Sequence, residues 1–68
     1  MAKMVRKRIT NLNVGEMTYP KTSGRYRGVS IGRDRQGYYA TTHRARSKSY
    51  PSPGKIPSKT VSWIKSTG

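Results

Sequence analysis

Hydrophobic and polar positions alternate most clearly in the middle of this chain. From Arg25 to Ile31, Arg25, Arg27, Val29 and Ile31 fall on one side and Tyr26, Gly28 and Ser30 on the other. Period two with β-branched residues predicts a strand. "GRDRQG" follows, with Asp34 and Gly37 at the offsets of a four-residue hairpin loop and Gly37 free to take a positive φ. "YYATTH" (Tyr38–His43), rich in Tyr and Thr, predicts the return strand. After a turn over Arg44–Arg46, a short third strand is expected at Ser47–Tyr50, stopped by Pro51 and Pro53.

The flanks are patterned differently. Ile9, Leu12, Val14 and Met17 fit neither helical nor clean strand spacing, so residues 9–20 are expected to form an irregular or short extended segment that covers the core. "PKTSG" (Pro20–Gly24) is loop chemistry and "PSPGKIP" a stiff connector. From about Pro57 a short helix is expected, with Thr60, Val61 and Ile64 as its apolar stripe, Ile56 and Trp63 nearby, and Gly68 closing it. So short a helix must pack on the sheet to persist. The expected fold is α+β: a small three-stranded antiparallel sheet packed by one C-terminal helix, as a single β-β-β-α domain over residues 9–68. Residues 1–8, with Lys3, Arg6, Lys7 and Arg8, read as a loose basic arm.

Composition sharpens this. In 68 residues there are nine Leu, Ile and Val and no Phe, so the tyrosines, Met17 and Trp63 are expected to supply part of the core. Tyr38 and Tyr50 are assigned that structural role. With no cysteine, disulfides and thiolate metal sites are excluded. No apolar run approaches a membrane span, and "ITNLNVGEMT" is too polar to complete a signal peptide, so an intracellular chain without membrane partners is expected. The single histidine, His43, and the two carboxylates, Glu16 and Asp34, are too few and too scattered for acid–base or metal chemistry. Neither an enzyme nor a bound cofactor or metal is expected.

Charge points to a partner. Fifteen Lys and Arg against two acids give a net charge of +13, beyond the magnitude of about 2–8 that solubility asks of a small domain. Gly24–Tyr50 holds four of the five tyrosines and seven of the fifteen basic residues. A core excludes charge; a surface that grips a polyanion uses both kinds of residue. If one helix covers one sheet face, Val29, Ile31, Tyr38 and Ala40 point to it. The other face then shows Tyr26, Ser30, Tyr39, Thr41 and His43, flanked by Arg33 and Arg35 at one turn and Arg44, Arg46 and Lys48 at the next. These groups suit phosphates, base edges and stacking. The expected partner is nucleic acid, DNA before RNA; the alternatives are association with RNA or the ribosome, or modulation of an acidic host protein.

The strings "YRGVS" (Tyr26–Ser30) and "GYY" (Gly37–Tyr39), in the order strand, tyrosine-bearing strand, basic turn, strand, helix, carry a resemblance over about residues 24–66. This pattern resembles the amino-terminal arm-binding domain of lambda-type and conjugative-transposon integrases, and "YRGVS" is similar to the first strand of the plant ethylene-response-factor DNA-binding domain. The resemblance implies a three-stranded sheet laid in the DNA major groove with a helix behind it. It also implies contacts from Tyr26, Arg27, Arg33, Arg35, Tyr39, Thr41, Arg44 and Arg46, and a small protein suited to a phage or mobile element. The third strand is shorter than in those families, and the helix lacks the plant domain's alanine-rich face.

Overall fold

The computed structural model describes residues 3–67. Four strands, β1 (Lys3–Val5), β2 (Glu16–Thr18), β3 (Ser30–Asp34) and β4 (Gly37–Thr41), precede one helix, α1 (Ser58–Thr67). They form one sheet in the order β1-β2-β3-β4. β1 pairs with β2 in parallel, and the two other pairings are antiparallel. The fold is α+β with a C-terminal helix, but its sheet is four-stranded and mixed rather than three-stranded and antiparallel.

Two changes account for that difference. Lys3–Val5, expected in a loose arm, pair Lys3 with Glu16, Met4 with Met17 and Val5 with Thr18. The link between β1 and β2 makes a 3₁₀ turn at Ile9–Asn11 and then sinks Leu12 into the core. Residues 9–15 thus form the irregular part of the expected segment over the core, and Glu16–Thr18 its short extended part. At the other edge, Ser47–Tyr50 do not make a regular third strand. Tyr38 bridges Tyr50 and Thr41 bridges Arg46, a shift of one residue in register along the segment. That extra residue is a bulge, and Ser47 fills the gap: its Oγ accepts the Ala40 N–H at 2.9 Å.

The same device works on the opposite side of the hairpin. Thr18, buried, accepts the Ile31 N–H on Oγ1 at 3.1 Å. Ile31 and Ala40 are cross-strand partners, so hydroxyls from β2 and from the bulged segment satisfy this central pair from both sides. A buried N–H left without a partner would cost about 1–3 kcal/mol.

The first predicted strand shifts toward the C-terminus. Gly24 and Gly28 take φ of +84° and +87°, which turns "GRYRG" back on itself; the Gly28 N–H donates to the Lys21 carbonyl and the Lys21 N–H to that of Val29. β3 therefore starts at Ser30 and runs through Asp34. The hairpin loop contracts to Arg35–Gln36, with Asp34 paired to Gly37. The Gln36 N–H donates to Asp34 Oδ1 at 2.9 Å, and Gly37 takes a φ of +137°.

The core lies on one face of the sheet. Leu12, Val29, Ile31, Ala40, Ile56, Val61 and Ile64 are buried together, with Tyr26, Tyr38 and Tyr50 packed against them. Tyr38 and Tyr50 thus have the structural place assigned to them, each donating its backbone N–H to the other's carbonyl. Trp63 and Met17 do not join this core. Trp63 is 55% exposed, because Val61 and Ile64 set the inward stripe of α1 and Ile56 and Leu12 fill the volume expected of the indole. Met17 lies on the opposite sheet face. Closure of the helix by Gly68, and the first two residues of the expected arm, lie outside the described residues.

Candidate nucleic-acid interface

The sheet face away from the core is set by strand parity. Pairing aligns Met4, Met17, Gly32 and Tyr39 in one row across all four strands. Gly32 is the low point of this row. The Tyr39 ring lies across it so closely that a Cβ at residue 32 would collide with the ring. An aromatic laid over a glycine on the neighbouring strand is a known way to restore packing there, and Tyr39 is only 5% exposed as a result.

The other side of that ring is covered by Arg46, whose guanidinium carbon lies 3.9 Å from the ring centroid. Arg46 Nη2 also meets Asp34 Oδ2 at 2.7 Å, and the Ser49 hydroxyl donates to the same oxygen at 2.7 Å. The Ser49 hydroxyl, then the N–H groups of Gln36 and Gly37 and the Arg46 charge, hold the Asp34 carboxyl below the usual range. Gly32, Tyr39, Arg46 and Asp34 thus form one ordered stack.

Beside the stack is an open-sided hollow of about 740 Å³. Met4, Met17, Pro20 and Gly28 give it an apolar side. Tyr39, Ser30, Thr41 and Thr42 line the sheet side, and His43, Arg46 and Lys65 give it polar, basic margins. The Lys65 stem lies over Gly28, where an added Cβ would come within 3.2 Å of it. His43 is presented by a turn that contains no Gly, Asn or Pro. Thr42 Oγ1 accepts the Ala45 N–H at 3.3 Å, and the Thr41 hydroxyl donates to the Ala45 carbonyl at 2.8 Å. Two threonine hydroxyls hold the turn instead.

Of the residues singled out in the sequence, Tyr39, Thr41, His43 and Arg46 come together here. Arg44 is exposed on the adjoining turn, Arg35 at the hairpin tip, Arg27 in the "GRYRG" turn, and Lys48 along the bulged segment. Tyr26 and Arg33 are elsewhere. The Tyr26 hydroxyl donates to the Pro53 carbonyl, and its ring packs on the core. Arg33 points to the core side, donating to the Leu12 carbonyl at 2.8 Å with its guanidinium 5.4 Å from the Tyr38 ring. Both anchor loops to the sheet: the bend at "GRYRG" puts Tyr26 in a turn, and the contracted hairpin loop leaves Arg33 in β3, on the face of Ile31 and opposite Tyr38.

The expected arm is also engaged in structure. Arg6 lies 4.9 Å from the Tyr19 ring, and Lys7 meets Glu16 at 2.9 Å, while Lys3 and Arg8 stay exposed. The Asn13 N–H and the Lys7 ammonium keep Glu16 ionised below its ordinary range. Both carboxylates of the chain are therefore matched to a cation, and every other Lys and Arg lacks a carboxylate partner among the described residues.

Met4, Met17 and Lys65 were missed from sequence. The methionines acquire their place through a parallel pairing that leaves no local pattern, and Lys65 through the docking of the helix. No group of three or more His, Cys, Asp or Glu able to hold a metal occurs among the described residues, and no helix among them is long and apolar enough to cross a membrane. Comparison of the chain with family models, curated proteins and solved structures finds no match. The four-stranded mixed sheet differs from the three-stranded sheet that the integrase and plant-domain resemblance implied, and "YRG" lies in a turn, not in a strand.

Proposed function

We propose that this protein binds nucleic acid, DNA before RNA, through the basic margins of its open sheet face. The observation that carries the reading is the unopposed charge: both acids are already matched to cations, Lys65 stands beside His43 and the Asp34-paired Arg46 at the margin of one exposed hollow, and Arg44 is exposed on the adjoining turn. Such a field draws in a phosphate backbone, whose condensed counterions leave on binding.

The centre of the face favours backbone contact over groove reading. A sheet that reads base edges in the major groove needs side chains standing out from its strands. Here Gly32 has none, Ser30 is buried, and the Thr41 hydroxyl is turned to the Ala45 carbonyl. Phosphates at the margin therefore supply most of the affinity, and sequence preference along a paired duplex is weak.

Binding to one labelled oligonucleotide across a salt series tests this. Contact with about four to six phosphates gives a slope of log affinity against log salt of roughly −4 to −5. Replacing Arg44 and Lys65 together by Ala flattens the slope by about two if both touch phosphate. A flat slope for the parent contradicts the reading and favours a protein partner; an unchanged slope in the double variant moves the interface off this face.

A further inference from the structure

Phosphate contacts at the margin leave the hollow itself without a role. Its size falls within the range of roughly 300–1,000 Å³ typical of sites for small organic groups, and its lining is not that of a phosphate site. The two methionines side by side from β1 and β2 offer adaptable, polarisable thioethers, which make favourable contacts with aromatic rings. Next to them, Arg46 is fixed in orientation by Tyr39 beneath it and Asp34 at its edge. Its side chain is nevertheless 55% exposed. One plane of the guanidinium faces Tyr39, so the exposed part includes the other plane. A planar cation held in place with a free face is a stacking platform for a base.

We infer that the hollow seats one unpaired nucleobase, resting on Met4 and Met17 and stacked on the outer plane of Arg46, with Lys65 and His43 meeting the flanking phosphates. The inference rests on the nucleic-acid reading above and adds the form of the ligand. A base inside an intact duplex does not reach a recessed surface, because nothing on these strands projects between the base pairs to meet it. The base must come to the protein. Extruding a paired base costs a few kcal/mol and least where the base is already unpaired. Single strands, bulges and gaps are thus preferred to perfect duplex. Tyr39 does not itself stack on the ligand, since its two faces are taken by Gly32 and Arg46.

Three DNAs carrying one 2-aminopurine test this: a single strand, a duplex with the analogue as a one-base bulge, and a perfect duplex. The folded parent protein should raise the analogue's emission in the first two, by drawing it out of its stack, and leave the third unchanged. It should bind the bulge about fivefold or more tighter than the perfect duplex, the gain expected of one stacked base. Arg46→Lys keeps the charge and removes the plane; with its amide spectrum still that of a folded chain, it should lose the emission change and the bulge preference while keeping the salt slope. Equal affinity for bulge and duplex with silent emission, at a steep salt slope, overturns the base site and leaves the nucleic-acid reading standing. Absence of salt-dependent binding to all three DNAs overturns both. An emission change that survives in Arg46→Lys removes the guanidinium as the platform.

Discussion

The two faces of this sheet are built from alternate residues of the same strands, yet they solve opposite problems. On one, Ile31, Ala40 and Val29 are covered by Ile56, Val61 and Ile64 and by the Leu12 loop, and none of these side chains is left to water. On the other, the row Met4–Met17–Gly32–Tyr39 is covered at one end by a single arginine and is open at the other. A chain of this length has enough apolar residues to close one face. The second is stabilised by an aromatic folded over a glycine and a cation folded over the aromatic, an arrangement that uses little apolar surface and leaves charge at the margin. Stability therefore belongs to the first face, and the proposed recognition to the second.

The contrast should be widest in core truncations. Ile64→Ala is expected to cost about 2–5 kcal/mol, a large share of the roughly 3–10 kcal/mol available to a domain of this size. Met4→Ala, on the open face, should stay within about 1 kcal/mol. Urea melts of the two variants measure the difference, and equal losses would erase the division between the faces.

Gly32→Ala sharpens the same comparison from the recognition side. The added Cβ overlaps the Tyr39 ring, so the ring must lift and Arg46 must leave its place over it. A loss of about 1–3 kcal/mol is expected for such overpacking, together with altered ring-current shifts on the Arg46 side chain. Wild-type stability and unchanged Arg46 shifts would show that the ring does not lie where it is placed here.

The smallest effect is on pH. Asp34 has its pKa lowered in the folded state, first by the Ser49 hydroxyl and also by Arg46. The stabilisation it contributes is therefore complete above the ordinary aspartate pKa of about 3.9 and is lost as pH falls through the lower folded value. Solvent screens this partly exposed pair, so the change in melting is small. The Arg46 side-chain signals should nonetheless shift below pH about 4 as its partner is protonated, and Asp34→Asn should abolish that shift. Signals in the parent that follow some other range would detach Arg46 from Asp34.

Local signals carried much of this fold and long-range pairing the rest. The hairpin of β3 and β4, the helix after Pro57 and the buried Ile56, Val61 and Ile64 follow from residue pattern, because turn chemistry and periodicity are written locally. The β1–β2 pair is not, since two three-residue strands in parallel register find each other only in the folded chain. "RYRGVSI" alternates like a strand but is bent by two positive-φ glycines, which moves Tyr26 to the core side; Arg33 lies there because the hairpin loop contracts and leaves it in β3 on the face of Ile31. Within the candidate site, Tyr39, Thr41, His43 and Arg46 were legible as polar and aromatic residues bordering a basic turn. Met4 and Met17 read as a terminus and a core residue, and only the sheet order brings them to the hollow. A chain without Phe points to Trp63 as a core residue, but Leu12 and Ile56 occupy that space and leave the indole 55% exposed.

Amide chemical-shift mapping tests most directly the claim that recognition belongs to the open face. The protein would be titrated with a short single-stranded DNA and its backbone amides followed. The shifts should concentrate at residues 30–32 and 39–46, at Met4 and Met17, and at Lys65, and should spare the exposed side of α1 around Trp63. Shifts centred on Trp63 and Lys59, with the Met4–Tyr39 row unmoved, would contradict it.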